Sequence, residues 1–203
     1  NWIKVGNGLT SIKDIFFVNE QIGFIAADTS IYKSTNGGES WEKILNCNGL
    51  SSIFFINDNT GWAVGENGLI MKLTDQGTWE KITSGTTLPL NNVFFAERNT
   101  GWIAGGYNNT NDLNPVLLKT VNGGESWLKI ENVNWLIHGL YFRNNLEGWA
   151  VGEDKNKKGI IIGTNDGGNN WSVQIDSLDS PLIATCFQDG YGWAVGSNGL
   201  VLK

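Results

Sequence analysis

Gly61-Trp62-Ala63-Val64-Gly65-Glu66-Asn67-Gly68-Leu69-Ile70-Met71-Lys72 returns at the other end of the chain as Gly192-Trp193-Ala194-Val195-Gly196-Ser197-Asn198-Gly199-Leu200-Val201-Leu202-Lys203. An internal echo of this kind makes the repeat the first question to settle. Gly followed by an aromatic recurs at Gly23-Phe24, Gly61-Trp62, Gly101-Trp102, Gly148-Trp149 and Gly192-Trp193, with spacings of 38, 40, 47 and 44 residues. Short apolar runs precede each pair, at residues 15–18, 53–56, 93–96, 140–142 and 183–187, and two further runs follow it. The third run gives way to a Gly-rich turn and another tryptophan, at Trp41, Trp79, Trp127 or Trp171. Each unit therefore reads as four strands, a to d, bounded by turn signals. The Asn-Gly pairs at 67–68 and 198–199 suit tight hairpins between strands b and c, because both turn positions need positive φ.

Four-stranded units of about 41 residues, radially repeated, predict an all-β, five-bladed β-propeller of antiparallel blades. The whole chain, 1–203, reads as one propeller domain with repeats at approximately 6–45, 46–83, 84–131, 132–176 and 177–203 plus 1–5. Asn1-Trp2-Ile3-Lys4-Val5 matches strand d (Trp41-Glu42-Lys43-Ile44), and the chain stops at the end of a strand c. This phase predicts closure by pairing of the N-terminal strand with the C-terminal blade, which would remove an unpaired edge. Five consecutive blades of a larger propeller is the competing reading.

Composition agrees with many short strands: 203 residues hold 27 glycines and 10 tryptophans against 3 prolines and 17% charged residues. A net charge of −6 lacks the electrostatic footprint of a nucleic-acid binder, and Lys155, Lys157 and Lys158 form only a small loop cluster. No apolar run reaches the ~18 residues of a membrane span, so no membrane insertion is expected. One histidine and two cysteines give no material for a zinc site; neither metal nor cofactor is expected. Cys47 and Cys186 allow at most one bridge and are read as free thiols. The start at Asn1 fits a processed secreted protein and an excised fragment alike. An extracellular or periplasmic location and a monomeric state are the expectations.

The turns before strand d are Ser34-Thr35-Asn36-Gly37-Gly38-Glu39-Ser40-Trp41, Thr120-Val121-Asn122-Gly123-Gly124-Glu125-Ser126-Trp127 and Thr164-Asn165-Asp166-Gly167-Gly168-Asn169-Asn170-Trp171. They resemble the Asp-box, or bacterial neuraminidase repeat, Ser/Thr-x-Asp-x-Gly-x-x-Trp. The copy at residues 73–79 keeps Asp75, Gly77 and Trp79 but is one residue short and lacks the hydroxyl at the motif position. With the three Gly-Trp-Ala-Val-Gly runs, the chain is similar to the photosystem II stability/assembly-factor-like propellers. The resemblance implies architecture more than function, since such repeats sit in many secreted propellers. Members acting in photosystem assembly are usually seven-bladed and associated with an arginine-rich patch, whereas Arg98 and Arg143 are the only arginines here.

Read from the residues, the box is structural: Ser34, Asn36 and Gly38, then Thr120, Asn122 and Gly124, then Thr164, Asp166 and Gly168 supply turn hydrogen bonds and positive φ, and the tryptophans pack between strands. Asn36 and Asn122 remove the carboxylate that a calcium loop would want.

No catalytic site is expected. Two arginines cannot form the three-arginine grip that the sialidase resemblance would imply. A glycosidase needs a pair of carboxylates, yet the starts of strand a align Asp14, Ser52, Asn92, Gly139 and Ile183, with Lys13, Ser51, Asn91, His138 and Leu182 one residue earlier, and offer one acid. The sole histidine, His138, has no Gly-x-Ser-x-Gly nucleophile to serve, and Gly6-Asn7-Gly8 has no helix after it to hold phosphate. Sequons stand at Asn108 and Asn170. The b–c turns are extended at residues 106–115 and 153–158, on the same face as Trp135. Asp14, Ser52, Asn92, Tyr107, Trp135 and His138 are therefore the candidate binding residues, around the tunnel mouth and on the loop face. The expected function is a non-enzymatic binding or assembly scaffold for a protein or other macromolecule. The alternative is a glycan-binding or glycosidase-like module in which Tyr107 and Trp135 stack on sugar.

Overall fold

The Asn-Gly pairs adopt the backbone their sequence calls for. In the computed structural model, which describes residues 4, 9–109 and 112–203, Asn67 and Gly68 have φ of 55° and 67°, and Asn198 and Gly199 have 57° and 75°. Each pair folds strand b back onto strand c, and the resulting meander is repeated along the chain.

Five antiparallel sheets result, each in sequence order. The first comprises β1 (Ile12–Phe17), β2 (Gly23–Ala27), β3 (Ser30–Ser34) and β4 (Glu42–Asn46). The second comprises β5 (Leu50–Asn57), β6 (Thr60–Gly65), β7 (Leu69–Leu73) and β8 (Trp79–Ile82). The third comprises β9 (Leu90–Phe95), β10 (Gly101–Asn108), β11 (Leu113–Thr120) and β12 (Leu128–Lys129). The fourth comprises β13 (Leu136–Phe142), β14 (Gly148–Glu153), β15 (Gly159–Thr164) and β16 (Ser172–Leu178). The fifth has three strands, β17 (Leu182–Gln188), β18 (Tyr191–Gly196) and β19 (Val201–Leu202).

Every strand a carries a bulge at the same place. The pairing with strand b skips Lys13, Ser51, Asn91, His138 and Ile183. A bulge of this kind re-aims a side chain and increases local twist. It also corrects the alignment in the last repeat: the residue in register with Asp14, Ser52, Asn92 and Gly139 is Ala184, and Ile183 occupies the bulge.

Neighbouring sheets are held by rings. Phe24, Trp62 and Trp102, each on a strand b, stack on Phe55, Phe95 and Phe142 of the following strand a at centroid distances of 3.6, 3.5 and 3.4 Å. The box tryptophan of the second sheet then meets the same phenylalanine edge-on, Trp79 against Phe55, as do Trp127 against Phe95 and Trp171 against Phe142. At two of these junctions the indole also donates a hydrogen bond across the gap, Trp62 Nε1 to Gly123 O at 3.2 Å and Trp102 Nε1 to Gly167 O at 3.0 Å. The first sheet has Phe24 at this position and faces the shortened box, so the donor and the full box are lost together.

The series does not return on itself among the described residues. Each sheet packs on the next, ending with β13 and β14 against β17, and no comparable packing joins β17 to β1. No closed sheet is seen among the described residues. The expected strand around Trp2, paired with residues 200–203, lies outside the described residues. On the first sheet, Ile15 and Phe17 are 53% and 41% accessible, where the equivalent Ile53 and Phe55 of the second are each 2%.

Candidate functional site

Hydrogen bonding sorts the residues singled out by sequence. In the first box, Ser34 Oγ donates to Asn36 Oδ1 at 2.9 Å and accepts from Gly38 N at 2.9 Å, while Asn36 Oδ1 accepts from Ser40 N at 3.0 Å. Thr120 with Asn122 and Gly124, and Thr164 with Asp166 and Gly168, repeat the pattern. The side chains are consumed by their own turn. In the shortened copy, Leu73 stands where the hydroxyl would be, and Thr74 and Thr78 bond each other at 2.8 Å around Asp75, Gln76 and Gly77 instead.

Asp14 is likewise occupied. Its Oδ2 accepts from Ser52 Oγ at 2.8 Å and Ile53 N at 3.0 Å, and its Oδ1 accepts from Ile15 N at 2.8 Å. The carboxylate ties the first inner strand to the second and presents no free oxygen pair to a substrate. Asn92 is next in the series, and its Oδ1 is buried without a partner. Trp135 is half-buried and packs, with Val133, against the core between the third and fourth sheets. Tyr107 is exposed, and its Oη accepts from Asn114 Nδ2 at 3.0 Å. Within the expected cluster, a hydrogen bond joins Asp14 to Ser52.

The two b–c insertions do meet. Residues 106–108 and 113–115 turn out to lengthen the β10–β11 hairpin rather than to form loop. The second insertion is a tight turn in which Asp154 Oδ1 accepts from Asn156 N at 2.8 Å and Lys158 N at 2.9 Å. Asn108 at the hairpin's end donates from Nδ2 to Glu153 Oε1 and to Asp154 O, both at 2.9 Å, bolting one insertion to the other. Between them lies a cleft of about 820 Å³, lined chiefly by Asn108, Asp112, Val133, Asn134, Asp154 and Lys155. Tyr107 and Trp135 are not in its lining.

Beneath this cleft sits a group the sequence reading passed over as loop surface. Glu153 is only 6% exposed. It ends β14 opposite Leu136, two residues along β13 from the bulged His138. Burial pushes the His138 pKa below its ordinary value, and the Glu153 carboxylate pulls it back up in part. Sequence offered no signal for it, since Glu66 follows the same Gly-Trp-Ala-Val-Gly run in the second repeat and is exposed in a turn. Among the described residues no three His, Cys, Asp or Glu side chains converge as metal ligands. Cys47 and Cys186 are free, and burial raises the Cys47 thiol pKa against the pull of Lys81.

Comparison with known proteins bears on this arrangement. Residues 1–92 match the family model described as Photosynthesis system II assembly factor YCF48. A solved structure of YCF48 bound to D1 peptide superposes with a TM-score of 0.67 at 19% identity, covering 94% of this chain and 62% of that one. YCF48 from Cyanidioschyzon merolae gives 0.52 at 14% identity, over 94% of both chains. The GH74 enzyme of Niastella koreensis gives 0.61 at 20% identity, over 77% of this chain and 28% of that one. At these identities the likeness is one of fold. No curated protein matches the sequence.

Proposed function

We propose that this chain, a photosystem II assembly-factor-like BNR-repeat β-propeller protein, is a non-enzymatic scaffold that holds a segment of another protein on its loop face. The observation that carries this reading is the cleft between the two insertions. Repeat folding accounts for neither insertion, yet Asn108 joins them into one walled depression. Side-chain amides and carboxylates offer donors and acceptors to an extended backbone, and Val133 and Leu113 supply apolar contact. A peptide on YCF48 in the structure named above supports a protein ligand for this fold. The sugar-binding alternative loses its stacking platforms, since Tyr107 and Trp135 lie outside the lining. Hydrolysis lacks a free carboxylate pair at the inner strands, where Asp14 is fully engaged.

The test is a synthetic peptide array followed by affinity measurement on the peptides retained. Asn134→Ala combined with Lys155→Glu should weaken retained peptides about tenfold, while Val121→Asp on an exposed box turn leaves them unchanged. Peptide affinity indifferent to the cleft pair, or glycoside turnover that disappears in Asp14→Asn, overturns the reading.

A further inference from the structure

The bulge of strand a lies near the end of strand b, and the shared register makes equivalent pairs of Lys13 with Asp28, Ser51 with Glu66, Asn91 with Gly106 and His138 with Glu153. In all four a group able to donate a hydrogen bond is matched with an acceptor. The third sheet shows the contact made, Asn91 Nδ2 donating to Gly106 O at 3.3 Å. The same reach from the fourth bulge brings the His138 ring toward Glu153, whose charge acts on the imidazole. The fourth pair differs from the others in burial: Asp28 is half-buried and Glu66 exposed, but Glu153 is enclosed. A carboxylate taken out of water needs partners, and the Asn108 amide that bonds its Oε1 is also the tie to the other insertion.

Other charges stand off from this pair. Of the strands packed on β13, β9 has no ionisable side chain, β10 has Tyr107, β11 has Lys119 and β17 has Cys186. The Tyr107 hydroxyl is held on Asn114, Lys119 lies over the Trp102 ring under the pull of Asp166, and Cys186 is exposed opposite Trp193. In the turn after β14, Asp154 accepts from Asn156 N and Lys158 N, Lys158 pairs with Asp179, and Lys155 and Lys157 are exposed. Among the described residues, Glu153 is therefore the charge that bears on His138.

We infer that His138 is a proton-operated latch on the loop-face cleft: its protonated ring takes the Glu153 carboxylate from Asn108 and unbolts the two insertions. With the ring neutral, the carboxylate depends on the Asn108 amide. A proton taken from solvent makes the ring a cationic donor, and a charge-assisted bond to the carboxylate outcompetes one from a neutral amide. Asn108 is then left with Asp154 O alone, and the end of the β10–β11 hairpin, which walls the cleft, is held by one bond fewer. Burial opposes the imidazolium, so the change falls on the acid side of the ordinary histidine pKa of 6.5. This inference rests on the reading of the cleft as a peptide site and adds its regulation.

An NMR titration of the whole chain tests it, following the His138 ring and the Asn108 side-chain amide from about pH 7.5 to about pH 5, beside the affinity of a histidine-free peptide retained by the array. The expected result is that the Asn108 Nδ2 signals move with the midpoint of the His138 ring, while affinity falls about tenfold. Glu153→Gln keeps an acceptor for Asn108 but no charge to draw the imidazolium, and His138→Asn copies the bulge of the third sheet. Both variants, checked for folding by melting, should bind the peptide alike at the two ends of the titration. An Asn108 signal that ignores His138, or that still follows it in Glu153→Gln, overturns the inference. Affinity that stays constant while Asn108 moves overturns it equally. An array that retains no peptide removes the reading of the cleft instead, and the Asn108 titration still decides the latch.

Discussion

The third sheet and the fifth are written in the same repeat, and they differ in what surrounds their central tryptophan. Trp102 is fully buried, stacked on Phe142 at 3.4 Å and hydrogen-bonded to Gly167 O. Trp193 is half-buried, lies under Lys203, and has no ring of a following sheet against it among the described residues. Identical residues at identical register thus have different energetic weight, because burial is a property of the next sheet rather than of the sequence around the tryptophan. Stability in such a repeated series of sheets resides in its junctions, where stacking takes the strand-b ring out of water.

Truncating the two tryptophans is the strongest way to break this comparison. Trp102→Ala should cost about 3 to 5 kcal/mol as a fully buried aromatic truncation. Trp193→Ala should cost less than about half of that, since Trp193 is only half-buried, and equal losses in thermal or denaturant unfolding would show that the junction is not the unit of stability. Trp127→Ala belongs with the first group, since Trp127 closes the junction between the second and third sheets edge-on.

The glycines of the boxes sharpen the same contrast. Gly124 has a φ of +80°, and a Cβ there would meet Trp62 Nε1 at 2.4 Å. Gly77 has a φ of +78° with nothing within 4 Å. Gly77→Ala should therefore cost about 1 to 2 kcal/mol from left-handed backbone strain alone, and Gly124→Ala about 1 to 3 kcal/mol more from overpacking. Equal melting shifts would remove the steric part of the argument.

A smaller effect is expected inside the turn. Thr120→Val keeps the shape but removes the donor to Asn122 Oδ1 and the acceptor for Gly124 N. Stability should fall by about 1 to 2 kcal/mol, and a loss near zero would show that the hydroxyl is not needed to hold the turn.

The smallest effect is a pH dependence. The folded pKa of His138 lies below its usual 6.5, chiefly through burial, with Glu153 opposing. The unfolded chain therefore binds the proton first as pH falls through about 6.5, and stability declines from there toward the folded pKa. His138→Gln should flatten that segment of the stability profile relative to the unaltered chain, and an unchanged slope would remove His138 from the account.

Much of the chain was legible before any coordinates. Period, turn chemistry and the order of strands a to d follow from local patterns: Asn67-Gly68 favours a hairpin by its own backbone preference, and the side chains of Ser34 and Asn36 bond within their own turn. The candidate site was less legible. Asp14 read as a free acid at a tunnel mouth because its partner, Ser52, is 38 residues away and joins it only when the inner strands of the first two sheets lie side by side. Glu153 read as loop surface because its burial depends on Asn108 reaching across from the neighbouring insertion.

Sequence by itself determined the all-β class, the repeat, the four-strand order and the internal geometry of the turns, since each depends on interactions among residues close along the chain. Tertiary structure decided the bulge register that makes Ala184 rather than Ile183 the equivalent of Asp14, the cleft between the insertions, and which sheet packs on which. The physical reason is range: φ preferences and turn hydrogen bonds act over a few residues. Ring stacking and burial depend on which sheet stands beside which, and contacts between residues tens of positions apart are not written in a local pattern.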